Sequence, residues 1–425
     1  MGAEKATSTP EPQQAEPSLF ARIFKGDKIL WITIAVLAVI SILVVYSSTA
    51  KMAYDAHTAR STAKFLRDQL VILIASAGGL MGVQRFNSRV YNHLSLWIYI
   101  GFLLFTVAAY FVGHSTNGAA RWISIFGFHV QPSEGLKVAT ILFLARQLAS
   151  RQNIADKLRI VPSLFPWRWH TKEQKKIWRE GMFPILFPII LSCLVIVPAH
   201  TSSALLIFGV CWVMMFIGRI KLRELFKIVG LAFVAAIFAL SLNLGRSETA
   251  GGRVEDWIDL WTQDRTGIPI DQLSDTERSM IAIYNGGIFG KGAGQSDMRV
   301  AMTHPESDYA YAFFVEEYGI LLAIVLLMLY VWIFFRAILI FERCGTAFPG
   351  LLVLGLALLI TCQALLHIMV TINLIPETGQ TLPLISRGGS STLFTALALG
   401  MILSVSRQNK EQSHDKPKAE SIYEK

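Results

Sequence analysis

Apolar runs long enough to cross a bilayer recur along this chain, and nothing constrains its fold more. They cover residues 29–48, 69–84, 94–113, 182–198, 203–218, 226–244, 318–340, 349–371 and 390–406. Each approaches or exceeds the roughly 17–25 residues that a helix needs to span hydrocarbon. A shorter run, 133–149, carries Glu134 and Lys137 in its first turn, and counting it gives ten helices. With 53% hydrophobic and only 16% charged residues, the chain lacks the polar surface that a soluble protein of 425 residues requires. The reading is an all-α polytopic membrane protein.

Orientation follows from the basic residues. With both termini inside, the cytoplasmic segments hold 26 of the 39 Lys and Arg, and the outer segments hold 13. That bias sets the N-terminus and C-terminus in the cytoplasm. It also accounts for the net charge of +9 as a topology signal rather than a nucleic-acid footprint. The densest basic segment, 151–181, is a cytoplasmic loop that reads first as a topology determinant and second as a contact for anionic lipid. Residues 1–28 are polar and rich in Pro, Glu and Gln, without the pattern of a cleavable signal peptide, and read as a disordered cytoplasmic tail. A membrane domain, 29–406, and a cytoplasmic tail, 407–425, follow. Cys193, Cys211, Cys344 and Cys362 show no paired spacing and read as small buried hydrophobes, with no zinc site or disulfide.

The outer segment 245–317, between the seventh and eighth spans, is the place to look for function. It is too long for a plain connector. It carries thirteen acidic residues against six basic ones and is punctuated by glycines in "NGGIFGKGAGQS". Such a loop folds against the bundle. Those glycines permit tight turns, and Lys291 among them is a candidate for an anionic group, although the spacing is not that of a Walker loop. Two further outer stretches carry chemistry. In "NGAARWISIFGFHVQPSEGLKVA", Arg121 lies in a loop, Gln131 and Pro132 lead into the fourth helix, and Ser133 is the expected N-cap. Glu134 and Lys137, three residues apart, share one face. They read either as an ion pair that lets a short helix enter the membrane or as the lining of a polar cavity. In "NLIPETGQTLPLISRGGSS", Pro376, Pro383 and Gly388–Gly389 forbid a continuous helix, which fits a re-entrant or cavity-lining loop.

These stretches, together with "HPESDYAYAFFVEEYG", fall in order along ten spans, and together they resemble the SEDS family (shape, elongation, division and sporulation) of bacterial wall synthesis. The resemblance covers roughly residues 25–407, and "FKGDKILWITIAVLAVISILVVYSS" with the "HPESD…EEYG" form is more similar to the division branch, FtsW, than to the elongation branch, RodA. It implies polymerisation of glycan strands from lipid II at the outer face of the cytoplasmic membrane, at the septum. The partners it implies are a class B penicillin-binding protein and other membrane proteins of the division complex, with no nucleic acid. The family's functional aspartate falls on Asp308, in Pro305–Glu306–Ser307–Asp308–Tyr309.

Glycosyl transfer from a lipid diphosphate needs a base for the acceptor hydroxyl and positive charge for the leaving group. Asp308 is the expected base, with Glu306 modulating it. Arg121, Lys137, Lys291 and Arg387 are candidates for the diphosphate, with Gln131, Glu134 and Ser390 completing the binding set. Arg387 reads equally as a structural donor to loop carbonyls. Glu316 and Glu317 read as structural carboxylates at a helix N-terminus, and His304 as a neutral loop residue. No cofactor is obligatory, and a divalent cation, Mg2+ or Mn2+, is the one optional aid the chemistry admits. The sequence departs from the family pattern at "VPAHTSSA" (197–204), which lacks an acidic residue, at Arg387, where an aromatic is usual, and at "TERSMIAIYNGG", where an aromatic–Gln pair is missing. A lipid flippase or transporter and a scaffold are the rival readings.

Overall fold

The structure is a computed structural model that describes residues 24–54, 62–116, 119–125, 128–158, 172–241, 247–263, 267–302 and 306–423. Ten helices occupy the ten expected places. They are α1 (Lys28–Tyr54), α2 (Thr62–Val83), α3 (Ser88–Val112), α4 (Pro132–Ala149), α5 (Phe183–Ile196), α6 (Thr201–Ile217) and α7 (Leu222–Ser241). After the outer helices α8 (Ser247–Thr262) and α9 (Asp275–Gly286) come α10 (Ala310–Glu342), α11 (Ala347–Thr371) and α12 (Gly389–Tyr423). The last helix runs through most of the stretch expected as a separate tail. The greater part of the N-terminal tail lies outside the described residues.

α4, α11 and α12 form the centre of the bundle. Most of α4 and α11 is buried, whereas α1, α2, α3 and α10 turn large aliphatic and aromatic side chains outward. That division explains how α4 carries Glu134, Lys137 and Arg146 in only eighteen residues. Its neighbours are protein, so its charges meet partners instead of lipid. The stretch between α3 and α4, expected as loop, contains three short strands, β1 (His114–Thr116), β2 (Ala119–Ile125) and β3 (Phe128–Val130), paired antiparallel in sequence order. Gln131, not Ser133, caps α4: Pro132 takes the first helical position, and the buried Ser133 hydroxyl has no partner. Because the chain enters the helix one residue before proline, the cap falls two positions earlier than the side-chain chemistry suggested.

α10 begins at Ala310, eight residues before the apolar run, and is broken once. Gly319 has φ +81°, a left-handed conformation that glycine adopts without strain. The glycine-rich turn after α9 supplies what the break leaves open. The N–H groups of Lys291 and Gly292 donate to the carbonyls of Glu316 and Glu317 at 2.9 Å, and those of Ile320 and Leu321 donate to Gly287 and Ile288. Helix ends leave such groups unsatisfied, so the turn closes the account on both sides of the break. A Cβ on Gly290 would stand 2.3 Å from the Glu317 carbonyl oxygen, which is why the close approach needs glycine.

Candidate active site

On the outer side, the turn at 306–309 that leads into α10 meets the irregular loop 372–388 between α11 and α12. The joint is made of short polar bonds. The Arg387 N–H donates to the Glu306 carbonyl at 2.8 Å, and the Ser386 hydroxyl donates to the Ser307 carbonyl at 2.7 Å. Ser386 Oγ in turn accepts the Leu382 N–H at 2.8 Å. Tyr309 is buried against α9, its hydroxyl 3.0 Å from Thr276 Oγ1, and burial together with the charge of Glu377 pushes its phenol pKa up. Asp308 itself is half-buried. Ser307 Oγ donates to its Oδ1 at 2.9 Å, and Oδ2 has no donor among the described residues. A carboxylate held on one oxygen and open on the other is suited to taking a proton.

Around Asp308 the chain gathers further polar groups. Glu306 is 5% exposed, with Oε1 at 3.8 Å from Arg387 Nη1 and Oε2 buried without a hydrogen-bond partner. His367, buried on α11, donates from Nδ1 to the Gln380 carbonyl at 2.7 Å, so its Nε2 is the acceptor that faces the Tyr311 N–H at 3.4 Å. Glu377, on the outer loop, has its carboxyl pKa pushed up, first by burial and then by the nearby charges of Asp308, Asp275 and Asp256, with Arg253 opposing. The Arg253 guanidinium donates to the Glu377 carbonyl at 3.3 Å, and Trp257 Nε1 to that of Asn373 at 3.1 Å, which latches α8 over the loop.

Beside this carboxylate group opens a cavity of about 800 Å3 between α6 and α11. Its polar end is formed by His200, Ser202, Arg253, Glu377 and Thr378, and its wall by aliphatic side chains and Trp212. Leu205 at the rim is 72% exposed, so the wall continues onto the lipid-facing surface. The cavity thus has a polar end, which includes Glu377, and an apolar wall along α6.

The expected binding residues divide into two groups and two exceptions. Arg387 and Glu306 stand at the Asp308 turn, as described. Lys137 is 1% exposed and donates to Glu134 Oε1 at 2.8 Å and to Gln363 Oε1 at 3.1 Å. Gln363 donates to the Thr381 carbonyl, and Thr381 Oγ1 to Ser391 Oγ, so α4 is wired to the base of the same loop. Gln131 and Ser390 are buried at the outer starts of α4 and α12. Lys291 is held by Asp297 Oδ2 at 2.5 Å and Glu316 Oε1 at 3.2 Å, so in this structure it serves a separate cluster. That cluster is centred on Glu316, eight residues beyond Asp308 in sequence. The Arg121 side chain, His304 and Pro305 lie outside the described residues.

Glu316 and Glu317 are buried and structural, but not as helix-terminal charges. Glu316 accepts from Lys291, Ser296 and the Asp297 N–H, while Glu317 accepts from Ser47 and the Gly294 N–H. Among the described residues no group of three or more His, Cys, Asp or Glu side chains is arranged to hold a metal ion.

Comparison with known proteins decides the family. The profile described as "Cell cycle protein" (FtsW, RodA and SpoVE) matches residues 27–411. The chain belongs to the FtsW/RodA/SpoVE family. It is 28% identical over 393 residues to the stage V sporulation protein E of Bacillus subtilis, covering 90% of this chain and 98% of that one. It is 30% identical over 320 residues to a probable peptidoglycan glycosyltransferase FtsW of Thiomicrospira cyclica, covering 74% of each. Among solved structures, the rod shape determining protein RodA of Thermus thermophilus superposes with a TM-score of 0.59 at 23% identity, covering 92% of this chain and 99% of that one. A chain from a peptidoglycan synthase complex, solved for its coordination of polymerization and crosslinking, gives 0.63 at 22%, covering 90% and 98%. At those identities the likeness speaks for the FtsW/RodA/SpoVE fold, a multi-pass membrane bundle.

Within that fold, sequence reasoning missed His200, Arg253, His367 and Glu377. His200 stood in "VPAHTSSA", already noted as departing from the family pattern, and Arg253 in the long outer segment 245–317. His367 sat inside an apolar run, and Glu377 inside a proline-bounded turn, where nothing local distinguished them.

Proposed function

We propose that this protein is a peptidoglycan glycosyltransferase that polymerises lipid II into β-1,4-linked strands at the outer face of the cytoplasmic membrane. The observation that carries the reading is the position of Asp308, on a turn locked to the 382–388 loop, beside a cavity with a polar head and an apolar wall. A lipid-linked donor has that same division. Its prenyl chain fits the slot between α6 and α11, and its diphosphate and sugars lie at the mouth.

Asp308 takes the proton of the acceptor hydroxyl as its oxygen bonds to the anomeric carbon. The bond from that carbon to the donor diphosphate breaks, and the diphosphate leaves with the electron pair. Arg253 stands at the polar end of the cavity and Arg387 at the Asp308 turn, and fixed cations placed where that charge develops stabilise it. Lys137 acts from within, positioning the loop through Gln363. The chain works with a class B penicillin-binding protein in septal wall synthesis, a reading supported by the FtsW names of its relatives and by the synthase complex among its structural neighbours.

The test is glycan synthesis from lipid II by the purified protein with its transpeptidase partner, comparing wild type with Asp308→Asn. Strand products from the wild type, reduced roughly 10²- to 10⁴-fold in a variant of unchanged unfolding temperature, are expected for loss of a general base. Lipid II translocation across vesicles without any strand product would instead make the chain a transporter.

A further inference from the structure

At the opposite end of the bundle, facing the cytoplasm, the ends of α1, α10 and α12 surround a cavity of about 640 Å3. Four cations line it, Lys28, Arg336, Arg343 and Lys410, against one carboxylate, Asp27. That carboxylate is already engaged. Its Oδ1 accepts the Ile29 and Leu30 N–H groups at 2.9 and 3.1 Å and so caps α1, and its Oδ2 pairs with Arg336. The cavity therefore keeps an excess of positive charge. Arg336 Nε is buried without a hydrogen-bond partner, and Lys28 and Arg343 are exposed without an ion-pair partner among the described residues.

The walls are unlike each other. Ile29 and Leu339 are 40% and 39% exposed on the side that continues onto the apolar faces of α1 and α10. The other side is polar, with Asn409 and Gln412 of α12. A soluble anion uses only the charge, whereas an amphiphile uses both walls. The inner leaflet presents anionic head groups at this depth, and basic recesses between helix ends attract them. We propose that this cavity holds the phosphodiester head group of an anionic lipid of the cytoplasmic leaflet, with its acyl chains along α1 and α10. The lipid then bridges α1, α10 and α12 at the end of the bundle remote from Asp308.

Native mass spectrometry of the full-length protein in detergent tests this, titrating phosphatidylglycerol and, separately, phosphatidylcholine. The wild type is expected to retain phosphatidylglycerol in preference. A Lys28→Gln/Arg343→Gln variant, which leaves the Asp27–Arg336 pair intact, is expected to bind it roughly tenfold or more weakly, while phosphatidylcholine is unaffected. Each exposed side chain is also replaced singly, so that an intermediate loss is read even where the double variant folds poorly. Equal retention by wild type and all variants would overturn the proposal. So would displacement of the lipid by millimolar inorganic phosphate, because the site would then be one for the free anion.

Discussion

The backbone N–H of Arg387 lies 2.8 Å from the carbonyl oxygen of Glu306, and this bond joins two segments about eighty residues apart in sequence. It places the start of α10 and the start of α12 on one polar seam, with Ser386 completing it. The seam has no regular secondary structure on either side. Its rigidity comes from hydrogen bonds that are individually replaceable, which makes its role measurable.

Ser386→Ala removes one donor and one acceptor and leaves the Ser307 carbonyl and the Leu382 N–H short of partners. The expected cost is about 1–3 kcal/mol. A lowered unfolding temperature together with slower polymerisation checks it, and unchanged values for both would show that the seam does not hold Asp308.

Lys137 and Glu134 form a pair inside the bundle, so removing one member leaves the other as an uncompensated charge. Lys137→Met is expected to destabilise by roughly 3–5 kcal/mol. Combining it with Glu134→Gln restores much of that loss. A double-mutant cycle on thermal unfolding measures the coupling, and simple additivity would refute it.

Gly319→Ala meets two obstacles, a positive φ and a Cβ that would stand 2.4 Å from the Ile288 carbonyl oxygen. Gly294 has a similar φ of +80°, but a Cβ there meets open space. Gly294→Ala is expected to cost about 1–2 kcal/mol for backbone strain alone. Gly319→Ala is expected to cost clearly more, read as a larger fall in folded yield and unfolding temperature.

Glu377 has a raised carboxyl pKa in the folded protein, with burial as its first cause. A raised carboxyl pKa contributes stability below the unfolded value, and that contribution is lost as pH rises through the folded value. Wild type is therefore expected to lose stability relative to Glu377→Gln as pH climbs from the ordinary glutamate range toward neutrality. Unfolding temperature followed against pH for the two proteins checks the sign.

Hydropathy made the ten spans legible because lipid contact is a demand on composition, and composition survives in sequence. The start of α10 was not legible in that way. Residues 310–318 carry Glu316 and Glu317 within an otherwise apolar stretch, and their donors come from Ser47 and the 291–297 segment. For the same reason Lys291 read as a ligand for an anion, when its anions are the protein's own. Asp308 was found through the family motif. His200 and Glu377 gain their interest from a cavity assembled by α6, α8 and α11, which no single stretch encodes.

The break at Gly319 divides α10 mechanically. The portion from Ile320 to Glu342 is about 34 Å long, slightly more than the hydrocarbon thickness, and such a helix answers changes in bilayer thickness by tilting. The portion from Ala310 to Tyr318, which follows directly on the Asp308 turn, answers instead to the glycine turn that grips both sides of the break. A bilayer that thickens or thins is thus expected to tilt the lower segment about a fixed hinge, while the carboxylate proposed as the base keeps its height and aim.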